Sequence, residues 1–503
     1  MSEPRPVAGP GSNTFDEADD GPQSQIASSE IREESILDQK VTATHSGVKA
    51  DASLRAFLAD LEARDPTDVL RIRDRVTTQY DTTAVAMELE SRGQAPVLWF
   101  ENVEDYDFPV VTNLFARRSR FAAALNVSEA DLIEGWARSA DVMIDPVLRD
   151  SGPVHDVVLT GDDADVMRLP LMLHFKEDAG HYITNAIVVA KDPDTGLRNA
   201  SFHRMQVKGP RRLGTSLHSR RHLWNYVQRA EERGEATPIV IIVGAHPLFT
   251  FGGLWKGPIT VDEYAIIGGL LGHPLEIAKG RTVDIEAPVS AEFIIEGRIL
   301  PNVREPEGPF AEFTGYASER STQHVVEVTA VMHRRDAIYQ NIVPGISDEH
   351  TNLLAVPQEA RLLRTLRQHY PNVTAVAYPK SGTCRLHAYI AMRKPALGQA
   401  KNAAAVALGD DLSLKFVVVV DDDVNVHDDR DVLWAMATRM QADNDVDVIR
   451  NAMGAILDPS NNGGLTAKMI VDATRPPGAF PARHTLPDHA MANARALLSN
   501  IGR

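Results

Sequence analysis

One cysteine, Cys384, stands among 503 residues. That excludes an internal disulfide framework and any zinc or iron–sulfur site built on several cysteines. No apolar run approaches the ~18 residues of a membrane-spanning helix, and the acidic, polar first residues do not have the pattern of a secretory signal. No basic block offsets a formal charge of −17, so neither a nucleic acid nor an anionic membrane surface is expected as partner. There is no GxGxxG fingerprint, no P-loop and no nucleophile-elbow serine, since Gly244 and Gly252-Gly253 are too sparse to form one. No internal repeat is visible. What remains is a soluble, cytoplasmic protein whose 43% hydrophobic and 24% charged residues suit a globular chain with a sizeable core. Its length corresponds to about three domains at ~150 residues each.

Residues 1–50, rich in Ser, Glu, Asp, Pro and Gly, cannot bury enough surface to offset ordering entropy and are expected to be a disordered extension. Helical spacing starts at Leu54, Phe57, Leu58 and Leu61, and residues 51–150 read as an N-terminal α/β domain. Residues 151–345 are rich in strands. The run 182–190, the turn Asp192-Pro193-Asp194-Thr195-Gly196 and the run 199–207 predict a hairpin. Residues 223–232 and 263–271 read as helices, the second capped by Thr260 or Asp262, and 238–244 as a buried strand. From 346 to 503 helices and strands alternate, indicating an α/β domain with a largely parallel sheet.

The densest chemistry lies in Glu307-Gly308-Pro309-Phe310-Ala311-Glu312-Phe313-Thr314-Gly315-Tyr316. Two glutamates sit five positions apart where glycine and proline prevent a regular helix. Phe310 and Phe313 supply an apolar wall of the kind that raises a carboxyl pKa. Locally this is either an acid–base pair or a buried loop neutralised by arginines. Asn199, Ser201 and His203 fall on one face of a predicted strand and Arg204 on the other. They are either a polar sheet edge or a carboxylate grip with an oxygen ligand. His222 and Glu263 each open a predicted helix, and with Asn199 they would make an O/N/O set suited to Mn²⁺ or Mg²⁺. Asp421-Asp422-Asp423 ends a strand, as a metal site or, more simply, as solvated carboxylates.

Five ordered blocks carry a family likeness: Asp192-Pro193 to Arg204-Met205-Gln206, Asp262-Glu263-Tyr264, the glutamate loop, Lys415 through Asn425, and Asp431 through Arg439. Over residues 90–475 the chain resembles the UbiD family of prenylated-flavin-dependent decarboxylases. Ala311 departs from the pattern, standing where the family usually has glycine; its methyl would tighten the loop or reshape the pocket. The resemblance implies a multidomain α/β fold, with a central split β-barrel flavin-binding domain (151–345) flanked by an N-terminal α/β domain and a C-terminal α/β oligomerisation domain. It also implies a homodimer or higher homo-oligomer, and a separate flavin prenyltransferase that supplies the cofactor. By position, Asn199, His222 and Glu263 correspond to ligands of a Mn²⁺ that bridges to the phosphate of prenylated FMN. Ser201, Phe202, His203 and Arg204 correspond to flavin contacts, Lys401 to a phosphate contact on which members differ, and Arg439 to a contact near K⁺. Arg204, Glu307 and Glu312 correspond to the catalytic Glu–Arg–Glu network.

Removing CO₂ from an sp² carbon would leave an aryl or vinyl carbanion, and no side chain offers the electron sink it needs. The implied reaction is therefore a non-oxidative decarboxylation, reversible in principle, through a covalent adduct with prenylated FMN. Arg204 would position the carboxylate, Glu312 protonate the carbon, and Glu307 hold Arg204 and tune Glu312. The expected substrate is an aromatic or heteroaromatic acid, such as a phenazine, pyrrole or furan carboxylate, with Leu248, Phe249, Phe251, Tyr316 and His324 as candidates to line its ring. A 4-hydroxybenzoate-type acid of quinone biosynthesis is the alternative within the family. A flavin-binding oxidoreductase and a non-catalytic binding protein are the alternatives outside it.

Overall fold

The computed structural model describes residues 51–217 and 221–499; the extension expected at 1–50 lies outside them. The first described helix, Leu54–Arg64, is capped by Ser53 and buries Leu54, Phe57, Leu58 and Leu61, the positions marked by the sequence. A four-stranded sheet follows, in the order Val69–Ile72, Val97–Phe100, Val110–Thr112 and Tyr339–Gln340.

The central sheet has nine strands. Along it run Tyr182–Ile183, Met205–Gly209, Arg212–Thr215, Ser321–His333, Phe293–Glu307, Thr237–Val243, Ile187–Lys191 and Arg198–Phe202, with Val157–Thr160 added beside Ser321–His333. Every pairing in it is antiparallel. Ile239, Ile241 and Val243 pack into one core while Val240 and Ile242 pack into another. Both faces are thus covered, which explains the unbroken apolar run there.

The expected hairpin forms between Ile187–Lys191 and Arg198–Phe202, but neither of its arms is as long as the sequence indicates. The run 182–190 breaks after Ile183, and the run 199–207 breaks at His203-Arg204. These breaks carry the chain between opposite ends of the sheet order: from Tyr182–Ile183 at one end to Ile187–Lys191 at the other, and from Arg198–Phe202 back to Met205–Gly209. An extended chain spans at most about 3.5 Å per residue, so the two-residue link brings the ends within roughly 10 Å of each other. The sheet is curled, yet among the described residues no hydrogen-bonded pairing closes it into a barrel. His203 N–H donates to the Ala186 carbonyl at 3.1 Å, one step beyond the Ile187–Phe202 pair of the hairpin, and Arg204 follows it into the crossing, the seam between the two ends.

The last sheet runs Val373–Ala377, His387–Met392, Phe416–Asp421, Leu465–Ala473, Val446–Met453. Its three central strands are parallel and both edges are antiparallel. Leu248, Phe249 and Phe251 belong to the core. The Phe251 ring stacks on Phe121 at 4.6 Å and meets Trp136 at 5.2 Å, so these residues serve packing where a ring-lining role was expected.

Candidate active site

Strand Phe293–Glu307 ends on the first glutamate, and the chain turns through a cis Gly308-Pro309 bond. Gly308 and Gly315 have φ of 82° and 81°, where a side chain would be strained; a Cβ on Gly308 would also stand 3.1 Å from the Glu319 carbonyl oxygen. The turn closes on itself. Glu312 N–H donates to the Tyr316 carbonyl at 3.0 Å, Gly315 N–H to the Glu312 carbonyl at 3.0 Å, and Ser318 N–H to the Phe310 carbonyl at 2.8 Å.

Arg204 enters from the seam. Its Nε and Nη2 donate to the two oxygens of Glu307 at 2.8 Å each, the planar fork matching the carboxylate. Nη1 donates to Glu312 Oε1, and the guanidinium lies 4.8 Å from the Phe310 ring centre. Glu307 is fully buried and Glu312 nearly so. Burial pushes the Glu312 carboxyl above the ordinary carboxylate range; Arg204 opposes the shift and the Glu307 charge adds to it. Burial alone would lower the Arg204 pKa, but the two carboxylates more than reverse that and hold its guanidinium above its usual range. One cation thus serves two buried acids. Glu307 gives both oxygens to it, while Glu312 meets it through Oε1.

Three further groups converge from three elements. Asn199 lies on strand Arg198–Phe202, and His222 opens helix His222–Glu232. Glu263 opens helix Glu263–Leu271, capped by Asp262, not by Thr260. Asn199 Nδ2 donates to Glu263 Oε1 at 2.8 Å and lies 3.4 Å from His222 Nδ1; His222 Nδ1 and Glu263 Oε1 are 3.6 Å apart. Ala200 N–H donates to Glu263 Oε2 at 3.3 Å. Ser201 Oγ donates to Asn199 Oδ1 at 3.0 Å and meets His203 Nε2 at 3.0 Å, so the i, i+2, i+4 face read from the sequence is real. Glu263 is 1% exposed, and among the described residues His222 is its one ion-pair partner. A buried carboxylate is poorly compensated by an imidazole and an amide. Turning the Asn199 amide over would present its oxygen to the same point. Oxygen, nitrogen and oxygen donors then suit a hard-to-borderline divalent cation.

Other expected site residues lie elsewhere. Lys401 donates to the Asn444 carbonyl at 2.6 Å and pairs with Asp447 at 2.8 Å, a tie within the C-terminal region. Buried Arg439 donates to Asp421 at 2.9 Å and to Asp423 at 3.0 and 2.8 Å. Arg475 adds a bond to Asp423 and Arg393 one to Asp422, so the aspartate cluster is neutralised by arginines. Phe202 packs against the core, His324 is buried and Tyr316 is exposed.

The sequence reading missed three residues beside the loop and a lysine near one of them. Asp178 and Tyr182 hold the loop backbone. Arg385 stands 6.0 Å from the Phe313 ring and pulls the Glu312 pKa down. The Lys256 ammonium is held well below the ordinary lysine range, by burial first and then by Arg385, with Asp411 opposing. None of the four belongs to a recognisable motif, and only the structure brings Asp178, Tyr182 and Arg385 to the loop.

Residues 146–347 match the 3-octaprenyl-4-hydroxybenzoate carboxy-lyase Rift-related domain, 58–140 the N-terminal domain and 351–473 the C-terminal domain of that family. The chain belongs to the UbiD family. Membership makes it a carboxy-lyase. It is 36% identical over 410 residues to an anhydromevalonate phosphate decarboxylase of Methanothermobacter thermautotrophicus, covering 81% of this chain and 94% of that one. The UbiD-class enzyme HmfF of Pelotomaculum thermopropionicum, solved with FMN, superposes with a TM-score of 0.83 at 41% identity, covering 87% of this chain and 98% of that one. An evolved dimeric form of HmfF, solved with prFMN, gives 0.80 at 38% identity over 88% and 98% of the two chains. Vanillic acid decarboxylase of Sedimentibacter hydroxybenzoicus gives 0.78 at 29% identity over 91% and 100%. The multidomain α/β fold of this UbiD-family chain is therefore shared along most of its length.

Proposed function

We propose that this UbiD-family chain is a non-oxidative decarboxylase that uses prenylated FMN to act on an acid whose carboxylate is borne by an sp² carbon. The observation that carries the reading is Arg204 held between Glu307 and Glu312, with burial raising the Glu312 carboxyl. The residues fit the cofactor. Asn199, His222 and Glu263 would hold Mn²⁺ against the flavin phosphate, answering the under-compensated Glu263 charge. Ser201 and His203 stand on the same face, and the curled sheet is the split-barrel element of the reading. Lys256 and Arg385, which repel each other, would gain from an anion brought between them. Arg439 binds Asp421 and Asp423 through its Nη groups, and a potassium ion near it stays part of the proposal.

When bound, the prenylated flavin supplies the electron sink that side chains lack. Arg204 orients the substrate carboxylate through the guanidinium edge facing Glu312. Phe310 and Phe313 exclude water around it. The Glu312 carboxyl, whose neutral form burial favours, delivers its proton to the carbon that has lost CO₂. Glu307 keeps Arg204 in register and raises the Glu312 pKa through its charge.

The likeness to vanillic acid decarboxylase favours an aromatic substrate, the class within which a heteroaromatic acid is also proposed. The identity to anhydromevalonate phosphate decarboxylase favours a second reading, an α,β-unsaturated aliphatic acid that carries a phosphate. A homo-oligomer is part of the proposal, as is a separate prenyltransferase supplying the flavin. The test is co-expression with a flavin prenyltransferase, followed by absorbance, metal analysis and CO₂ release over a panel of furan, pyrrole, phenazine, hydroxybenzoic and phosphorylated alkenoic acids. Modified flavin, Mn²⁺ and CO₂ from one class of acid are expected. Unmodified FMN with NAD(P)H oxidation and no CO₂ would replace the reading with an oxidoreductase.

A further inference from the structure

Between the exposed Lys176 and Glu177 and the sheet, the chain dips inward and carries a carboxylate with it. Asp178 Oδ1 accepts the Ala311 N–H at 2.8 Å, and Oδ2 accepts the Phe175 N–H at 3.0 Å. Burial raises its pKa, while these N–H groups and the Arg204 charge pull the other way. Desolvating a carboxylate to bind two backbone amides is costly for a loop that could use a neutral acceptor. The amide it captures is the one immediately before Glu312. The same short segment holds the previous turn of the loop as well. Ala179 N–H donates to the Pro309 carbonyl at 2.8 Å. The Tyr182 hydroxyl donates to that same carbonyl at 3.3 Å, and its ring packs 4.6 Å from Phe310.

We propose that Asp178 is the positioning residue of Glu312, fixing through the Ala311 amide the point from which the Glu312 carboxyl delivers its proton. This rests on the assignment of Glu312 as proton donor. Opposite Asp178, Arg204 holds the Glu312 side chain, so backbone and carboxylate are gripped from two sides. Asp178 touches neither Arg204 nor Glu312 through a hydrogen bond, and its effect passes through the loop backbone.

The experiment uses the prenylated-flavin-loaded enzyme and two variants, Asp178→Ala and Asp178→Asn. Asparagine keeps one acceptor for the Ala311 amide; alanine keeps none. For Asp178→Ala, hydrogen–deuterium exchange of a peptide spanning 308–316 is expected to accelerate, with flavin and metal content unchanged. Its kcat is expected to fall on the order of 10²-fold, the usual consequence of misplacing a catalytic group by about 1 Å. KM should stay within about twofold, and the solvent deuterium isotope effect on kcat should grow as proton delivery becomes limiting. Asp178→Asn should recover much of both the protection and the rate, and it also serves if the alanine variant does not fold. Unchanged exchange at 308–316, or a loss confined to KM or to flavin content, would overturn the inference. Full turnover by Glu312→Gln would instead remove the proton-donor assignment while leaving the exchange result standing, so the two failures are distinguishable.

Discussion

Replacing Arg204 with leucine removes at one stroke the cation shared by two buried acids. Glu307 has no exposed surface and loses both of its 2.8 Å partners. Breaking a buried pair by deleting one member costs about 3–5 kcal/mol, because the remaining charge stays desolvated. An unfolding entropy of ~2.1 cal/mol/K per residue over about 450 described residues gives ~0.9 kcal/mol/K. If those residues unfold together, the loss appears as a fall in melting temperature of about 3–5 °C. Adding Glu307→Gln to Arg204→Leu removes the stranded charge and leaves an amide lacking a partner, which costs about 1–3 kcal/mol. The double variant should therefore melt about 2 °C above Arg204→Leu. Scanning calorimetry of the flavin-free proteins at a single neutral pH decides the matter. Refutation would be a single variant within about 1 °C of wild type, or a double variant that melts no higher than the single one. Either would mean that Glu307 is not a buried charge compensated by Arg204.

Glu312→Gln should retain flavin and metal by absorbance and metal analysis yet lose on the order of 10²–10⁴ in CO₂ release, the range expected for a lost general acid. Because burial raises the Glu312 pKa, the active protonated form disappears as pH rises through that value, and kcat should fall on the alkaline side. The same sign applies to folding: the proton's contribution is complete below the pKa of the unfolded chain and lost as pH rises through the folded one; Glu312→Gln should abolish that limb of the melting-temperature profile. Mn²⁺ at 100 times its Kd should stabilise the wild type by ~2.7 kcal/mol, about 3 °C by the same arithmetic, and Asn199→Ala or His222→Ala should remove the response. Burial pushes the Cys384 thiol up to about 12, so a disulfide reagent should titrate it after denaturation and not in the native protein.

The elements that the sequence made legible are those whose cause is local. The apolar spacing of Leu54, Phe57, Leu58 and Leu61 favours a helix through local causes, and Gly308, Pro309 and Gly315 oppose one. The glutamate loop was visible for that reason, and the shared face of Asn199, Ser201 and His203 followed from strand alternation. Alternation also put Arg204 on the opposite face, and here the reason proved different. The strand ends before Arg204, which turns into the seam because the chain must cross from one end of the curled sheet to the other. Nothing within ten residues of Arg204 encodes that crossing, since it is set by which strands pair across the whole central region. The convergence of Asn199, His222 and Glu263 has the same origin. His222 and Glu263 open their helices and Asn199 lies within its strand for ordinary reasons, and the resemblance alone linked them in sequence. Lys401 and Arg439 show the converse. Resemblance carried roles onto them that their local sequence does not signal, and in the structure their charges meet Asp447, Asp421 and Asp423. Asp178 marks the limit, because its partner is a backbone amide and a main-chain hydrogen bond leaves no signature in the identity of residue 311. A residue that acts by holding backbone can be found only where the fold has already brought the two segments together, which is why the support for Glu312 emerged from the structure while Glu312 itself could be read from the chain.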